Sequence, residues 1–239
     1  MLLAALRRDY GEDAKEELGI FEHTGIKHEQ NPDTKEVYTH QNHCAKELNE
    51  IAIGGRKDTN PEDPVTEAHH ELYRSLLGGV AWLMQSRADI APFVGSLQRT
   101  SHAPRHKHIH RLNRLLRYCK RVSTGMLFKR LKPPMRMVVV AGVAYRSTDG
   151  GTDGLALRGY LILVVGAQDS KSLYTCGHCW VLDFVSKKFS TDNRSSFAAE
   201  LRNQLEAAQA GMLCNSFIEE NSNPILIECF GCCETAGIC

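Results

Sequence analysis

Apolar positions follow two regimes along this chain: helical spacing up to about residue 121, then nearly continuous runs of β-branched and aliphatic residues after Pro134. After Leu72, the residues Leu76, Leu77, Val80, Leu83 and Met84 recur three and four apart, which predicts a buried helix despite Gly78 and Gly79. Asp89 is placed to cap a second helix, with Pro92 in its first turn and Phe93, Val94 and Leu97 on one inward face. A third helix is predicted from about His106 to Arg121. Ile109, Leu112, Leu115, Leu116 and Cys119 form its inward stripe, and Lys107, Arg111, Arg114, Arg117, Lys120 and Arg121 occupy the remaining surface. Pro133 and Pro134 end this helical half. Upstream, residues 1 to 60 read as short helical stretches with a hairpin region at 36 to 41 and a polar helix through Ala45, Leu48 and Ile51. The Gly-, Pro- and charge-rich stretch 54 to 67 reads as a linker.

The second half predicts strands at 137 to 145, 155 to 165 and 179 to 186, a helix at 195 to 210, and a last strand at 224 to 229. Three successive strands, a helix and a fourth strand make a mixed sheet with a crossover. The expected fold class is therefore α+β, a helical N-terminal half followed by that sheet.

With 239 residues, 42% of them apolar and 24% charged, the chain has the composition of a folded protein with one good core or two modest ones. The opening MLLAALRRDY is too short in apolar residues for a signal-peptide core, and no run approaches the roughly 18 apolar residues of a membrane span. The expectation is an intracellular protein, cytoplasmic or nuclear, with no membrane partner. Nine cysteines, an odd number without a secretion signal, are expected as reduced thiols.

The formal charge of +1 conceals an asymmetry: residues 90 to 148 contain thirteen Lys and Arg and no Asp or Glu. A cationic helix face can simply be solvated. The absence of any acid across this span favours polyanion binding, in which Arg105, Lys107, Arg111, Arg114, Lys120, Arg121, Lys129, Arg130 and Lys132 track nucleic-acid phosphates. His102, His106, His108 and His110 add charge there only at mildly acidic pH.

Two CxxC pairs, Cys176 with Cys179 and Cys229 with Cys232, have spacing suited to a zinc site, although a helix is predicted between them. CGHC at 176 to 179 has the letters of a redox pair, but such motifs need a helix behind the first Cys and here a strand follows. His40, His43 and Cys44 read as the start of a polar helix.

Five blocks in one order carry a family resemblance: YRSLLGGVAWLMQSRADI (73 to 90), RLLRYCKR (114 to 121), RGYLILVVG (158 to 166), SKKFS (186 to 190) and RSSFAAEL (194 to 201). Together they resemble the Pol polyprotein of copia-type LTR retrotransposons, from the end of the reverse transcriptase into the RNase H domain. The resemblance implies a thumb-like reverse-transcriptase tail at 1 to 60, a helical basic connection region at 61 to 132 and an RNase H-like domain at 133 to 239, incomplete at its C-terminus. The polymerase aspartates would lie upstream, so DNA synthesis by this chain is not expected, and the parent polyprotein's upstream domains are expected partners.

An RNase H site holds two divalent ions about 4 Å apart and needs several converging carboxylates. The resemblance places Glu200 on the family's helix glutamate and Glu228 on its fourth-strand acid, with Mg²⁺ or Mn²⁺ as the expected cofactor. It also places Gly142, which carries no ligand, where the first-strand aspartate belongs. Asp149 and Asp153 follow in a Gly-rich stretch that reads as a hairpin turn. The expected function is a retroelement Pol fragment that binds RNA–DNA hybrid with an impaired two-metal site. The alternative is a non-catalytic nucleic-acid-binding remnant.

Overall fold

The structure, a computed structural model, describes residues 19–53, 60–144, 157–166, 178–189 and 195–219, together with the backbone of 226–232. The loop holding Asp149 and Asp153, Cys176 of the first CxxC pair and the side chains of Glu228, Cys229 and Cys232 lie outside the described residues.

Strands β1 (Ile20–His23) and β2 (Ile26–Gln30) pair antiparallel across Thr24 and Gly25, both at positive φ (49° and 72°), the geometry of a two-residue type I′ turn. Asn31 then turns the chain by accepting the backbone N–H groups of Asp33 and Thr34 at 2.9 and 3.1 Å. β3 (Val37–His40) adds to β2, and β4 (Met126–Phe128) adds to β3. Within residues 1 to 60, expected to hold short helical stretches, the described segment 19–30 is thus a hairpin, and residues 1–18 lie outside the described residues. IFEH and IKHEQ are too short and too polar to stand out as strands by periodicity, and the turn between them determines their pairing.

Helix α1 (Asn42–Glu47) is also shorter than expected, because Leu48 turns to an extended conformation (ψ 139°). Ile51 is held instead by Asn113, whose side chain accepts its N–H at 3.0 Å and donates to its carbonyl at 2.8 Å. Helix α2 (Glu67–Trp82) opens on Thr66, whose hydroxyl accepts from the His69 N–H at 3.3 Å, and buries Tyr73, Leu76, Leu77 and Val80. Two 3₁₀ turns, Leu83–Ser86 and Ala88–Ile90, lead into α3 (Ala91–Gln98). Asp89 does not cap that helix; the N-cap is Ile90, and the Asp89 carboxylate is committed to Arg87. Val94 and Leu97 are buried as expected, but Phe93 faces outward.

Helix α4 (His106–Arg121) has the predicted limits and the predicted inward stripe. Its apolar face closes one core that runs from Ala45 and Ile51 through α2 and α3 to Cys119.

The second sheet has the order β7-β6-β5-β8. β5 (Arg136–Ala144), β6 (Leu157–Val165) and β7 (Cys179–Lys188) are successive antiparallel neighbours, and β8 (Leu226–Cys232) lies parallel to β5. The connection is helix α5 (Ser196–Glu219), which packs on the face formed by Met137, Val139 and Ala141 through Ala207. The expected end of this helix before Gly211 is corrected: it continues to Glu219. A Cβ on Gly211 would come within 2.7 Å of Val139 Cγ2, so this glycine serves close helix-to-strand contact and not termination. Among the described residues no helix is long and apolar enough to cross a membrane.

Candidate nucleic-acid interface

The inward stripe of α4 dictates the placement of its cations. Burial of Leu112, Leu115, Leu116 and Cys119 leaves Arg111, Arg114, Arg117 and Arg121 exposed and Lys120 half-buried. These five side chains line one wall of a cleft of about 1090 Å³ whose other wall is α3, contributing Phe93, Ser96 and Leu97. Leu97 and Leu115, both nearly inaccessible, form an apolar floor. Gly95 fixes the outer side of α3 against the second sheet, where a Cβ would lie 3.0 Å from the Ser186 carbonyl oxygen.

Tyr118 also lines the cleft, and it is held in place. Its hydroxyl donates to Asp89 Oδ2 at 3.0 Å, and the Arg87 guanidinium sits 5.3 Å from its ring centroid. Arg87 is 4% exposed; it grips both oxygens of Asp89 and donates to the Val122 carbonyl at 2.7 Å. The Arg87 hydrogen bonds hold the Asp89 carboxyl below the usual carboxylate range, against the opposing effect of burial.

The predicted phosphate contacts separate into groups. Arg111, Arg114, Lys120 and Arg121 share the cleft and form no ion pair among the described residues. Arg117, outside the predicted set, joins them and is paired with Glu50. Arg105 and Lys107 stand at the start of α4 and both grip Glu62, at 2.9 and 2.8 Å, lowering its carboxyl pKa. Lys129 pairs with Glu36 at 3.7 Å, while Arg130 and Lys132 are exposed on the segment between the sheets and do not line the cleft. His108 is buried beneath the first turn of α4, where its Nδ1 accepts the Arg105 N–H at 3.0 Å. Burial first, then the nearby cations Lys107, Arg111 and Arg105, push its imidazole below the usual histidine range, so it adds no charge at neutral pH.

The positions named for metal chemistry sit in the second sheet. Glu200 is half-buried near the start of α5, beside Ala199, which packs with Val143 and Phe189. One turn on, Asn203 is fully buried, and its Nδ2 donates to the carbonyls of Gly142 at 2.9 Å and Gly159 at 3.0 Å. Nearby, Arg158 pairs with Glu206, and Arg202 with Glu206 at 3.4 Å. The β5–β8 register sets Cys232 beside Gly142 and Glu228 beside Val138. Positions 142 and 228 are thus offset by four residues, roughly 13 Å along the strands. Gly142 supplies no oxygen ligand for a pair of ions about 4 Å apart, and the register sets the backbone of Glu228 four residues from it. Among the described residues no group of three His, Cys, Asp or Glu side chains is placed to share a metal ion.

Phe93, Arg117 and Tyr118 are the residues that sequence reasoning left out of the site. Arg117 and Tyr118 had a signal, since they share the solvent side of α4 with Arg114 and Arg121 at helical spacing. Phe93 gave a misleading one, because its spacing from Leu97 is that of an inward pair. Comparison of the chain with protein-family models, with curated proteins and with solved structures returns no match.

Proposed function

We propose that this chain is a fragment of a copia-type retrotransposon Pol polyprotein whose remaining activity is sequence-independent binding of nucleic acid, RNA–DNA hybrid included, through the outer face of α4. The observation that carries the reading is the group Arg111, Arg114, Lys120 and Arg121: four cations on one helix wall, without ion pairs among the described residues, beside a cleft. Cations held apart from carboxylates are available to displace the counterions that surround a phosphate backbone.

The ancestry is supported by the five ordered sequence blocks and by the second sheet. Three antiparallel strands, a crossover helix and a fourth strand parallel to the first make the order 3-2-1-4, with which an RNase H-like sheet begins. That order is shared by other folds, so the blocks and the sheet have to be taken together.

Between the two readings drawn from the sequence, the geometry favours the non-catalytic one. Gly142 supplies no ligand, and the nearest β8 position is Cys232, not Glu228. Filter binding of an RNA–DNA hybrid at rising salt tests the binding. Cleavage of the same hybrid with Mg²⁺ or Mn²⁺, comparing the native chain with Gly142→Asp and Glu200→Ala, tests the chemistry. Salt-sensitive retention without cleavage by the native chain is the expected result.

A further inference from the structure

The cleft between α3 and α4 offers more than charge. Phe93 stands at its rim 59% exposed, next to Pro92, while its neighbours Val94 and Leu97 go into the core. The floor under it is apolar, built from Leu97 and Leu115. Across the cleft Tyr118 is held by Asp89 and has one ring face covered by Arg87, so Phe93 is the more exposed aromatic ring of the cleft.

Cations and an apolar aromatic surface in one cleft select between forms of nucleic acid. In a duplex the base faces are stacked on one another, so a groove meets only phosphates, sugars and base edges. An unpaired strand presents phosphates and base faces together, and each base face can stack on an aromatic ring regardless of sequence. We infer that the α3–α4 cleft binds a single strand of nucleic acid, with one base against Phe93 over the Leu97 and Leu115 floor and the adjoining phosphates on Arg114 and Arg121. The inference rests on the reading of α4 as a phosphate-binding face, and it narrows that face's ligand to an unpaired strand or the unpaired extension of a hybrid.

The test uses the full chain and three labelled probes in fluorescence anisotropy: an oligothymidylate of about 12 nucleotides, an abasic strand of equal length, and a blunt RNA–DNA hybrid. Stacking of one base corresponds to a gain of about tenfold, so the native chain is expected to bind oligothymidylate about tenfold more tightly than the abasic strand. Phe93→Ala is expected to weaken oligothymidylate binding about tenfold and so abolish that ratio, and Phe93→Trp to restore it. Circular dichroism establishes that both variants fold. An oligouridylate run alongside separates RNA from DNA: a base-dependent gain with either sugar supports the inference, and its absence with both overturns it. A Phe93→Ala loss equal on all probes also overturns it, yet leaves the phosphate-binding reading standing if binding still weakens with salt. Absence of salt-sensitive binding to every probe removes both.

Discussion

Arg87 and Asp89, two residues apart, are joined by two hydrogen bonds, Nε to Oδ1 at 2.8 Å and Nη2 to Oδ2 at 2.7 Å. Arg87 also reaches the Val122 carbonyl beyond the end of α4 and lies over Tyr118, so this pair ties the loop after α2 to the C-terminal end of α4. Both residues belong to the SRADI end of the block that carries the family resemblance, which gives that end of the block an architectural role. Removing the acid leaves a nearly inaccessible guanidinium without its counter-charge. Asp89→Ala is expected to lower stability by about 2–4 kcal/mol, measured by urea denaturation, and Arg87→Lys to lose part of the same energy because an ammonium cannot reproduce the fork. An unchanged midpoint for Asp89→Ala would show that the pair is not structural.

Asn203 fixes α5 on the second sheet by donating to two carbonyls, those of Gly142 and Gly159. Asn203→Leu fills similar volume but donates nothing, and a loss of about 1–3 kcal/mol is expected in denaturant titration. Asn203→Ser keeps a donor and is expected to fall between the two.

Stability is expected to fall on mild acidification. His108 has a folded-state pKa below its unfolded value near 6.5, so its contribution is fully present above about pH 6.5 and is lost as pH falls through that value toward the depressed folded one. His108→Gln, which is uncharged, should flatten the dependence of the thermal midpoint on pH over that window. A slope identical to the native chain's would assign the acid sensitivity to another group.

At the alkaline end, Tyr160 donates to Asp183 at 3.0 Å, and its pKa is pushed up to about 12, first by burial and then by that carboxylate. Its folded pKa lies above the unfolded value near 10, so its contribution is present below pH 10 and is lost as pH rises through 12. Ultraviolet titration should show a tyrosine step near pH 12, and Tyr160→Phe should remove that step.

The native chain is expected to cleave no hybrid with Mg²⁺ or Mn²⁺, and Glu200→Ala to change nothing in that assay. Turnover by the native chain that Glu200→Ala abolishes would mean that carboxylates do converge there.

Legibility from sequence followed the strength of the period. α4 was readable to its limits because five inward residues repeat over four turns, and β5 to β7 because each carries a run of apolar residues, VVV, LILVV and WVL. β1 and β2 were not, since four- and five-residue strands of mixed polarity carry little periodicity and a two-residue turn sets their pairing, whereas β3 falls within the stretch 36 to 41 read as a hairpin region. Phe93 shows the limit of spacing arguments: in a helix of eight residues the inward arc is narrow, and a neighbour of Val94 at the wrong angle faces solvent. Register was beyond reach as well, because sequence blocks give the order of strands but not which residue of β8 meets Gly142.

The most direct test of the account is the salt dependence of hybrid affinity for the native chain and for Arg114→Gln with Arg121→Gln. With Arg111, Arg114, Lys120 and Arg121 all engaging phosphates, log affinity is expected to fall linearly with log salt at a slope of about −3 to −4, and the double variant to be shallower by about 2. Lys107→Gln, whose ammonium is occupied by Glu62, should leave the slope nearly unchanged. A flat response in the native chain, or a double variant with the native slope, would contradict the account.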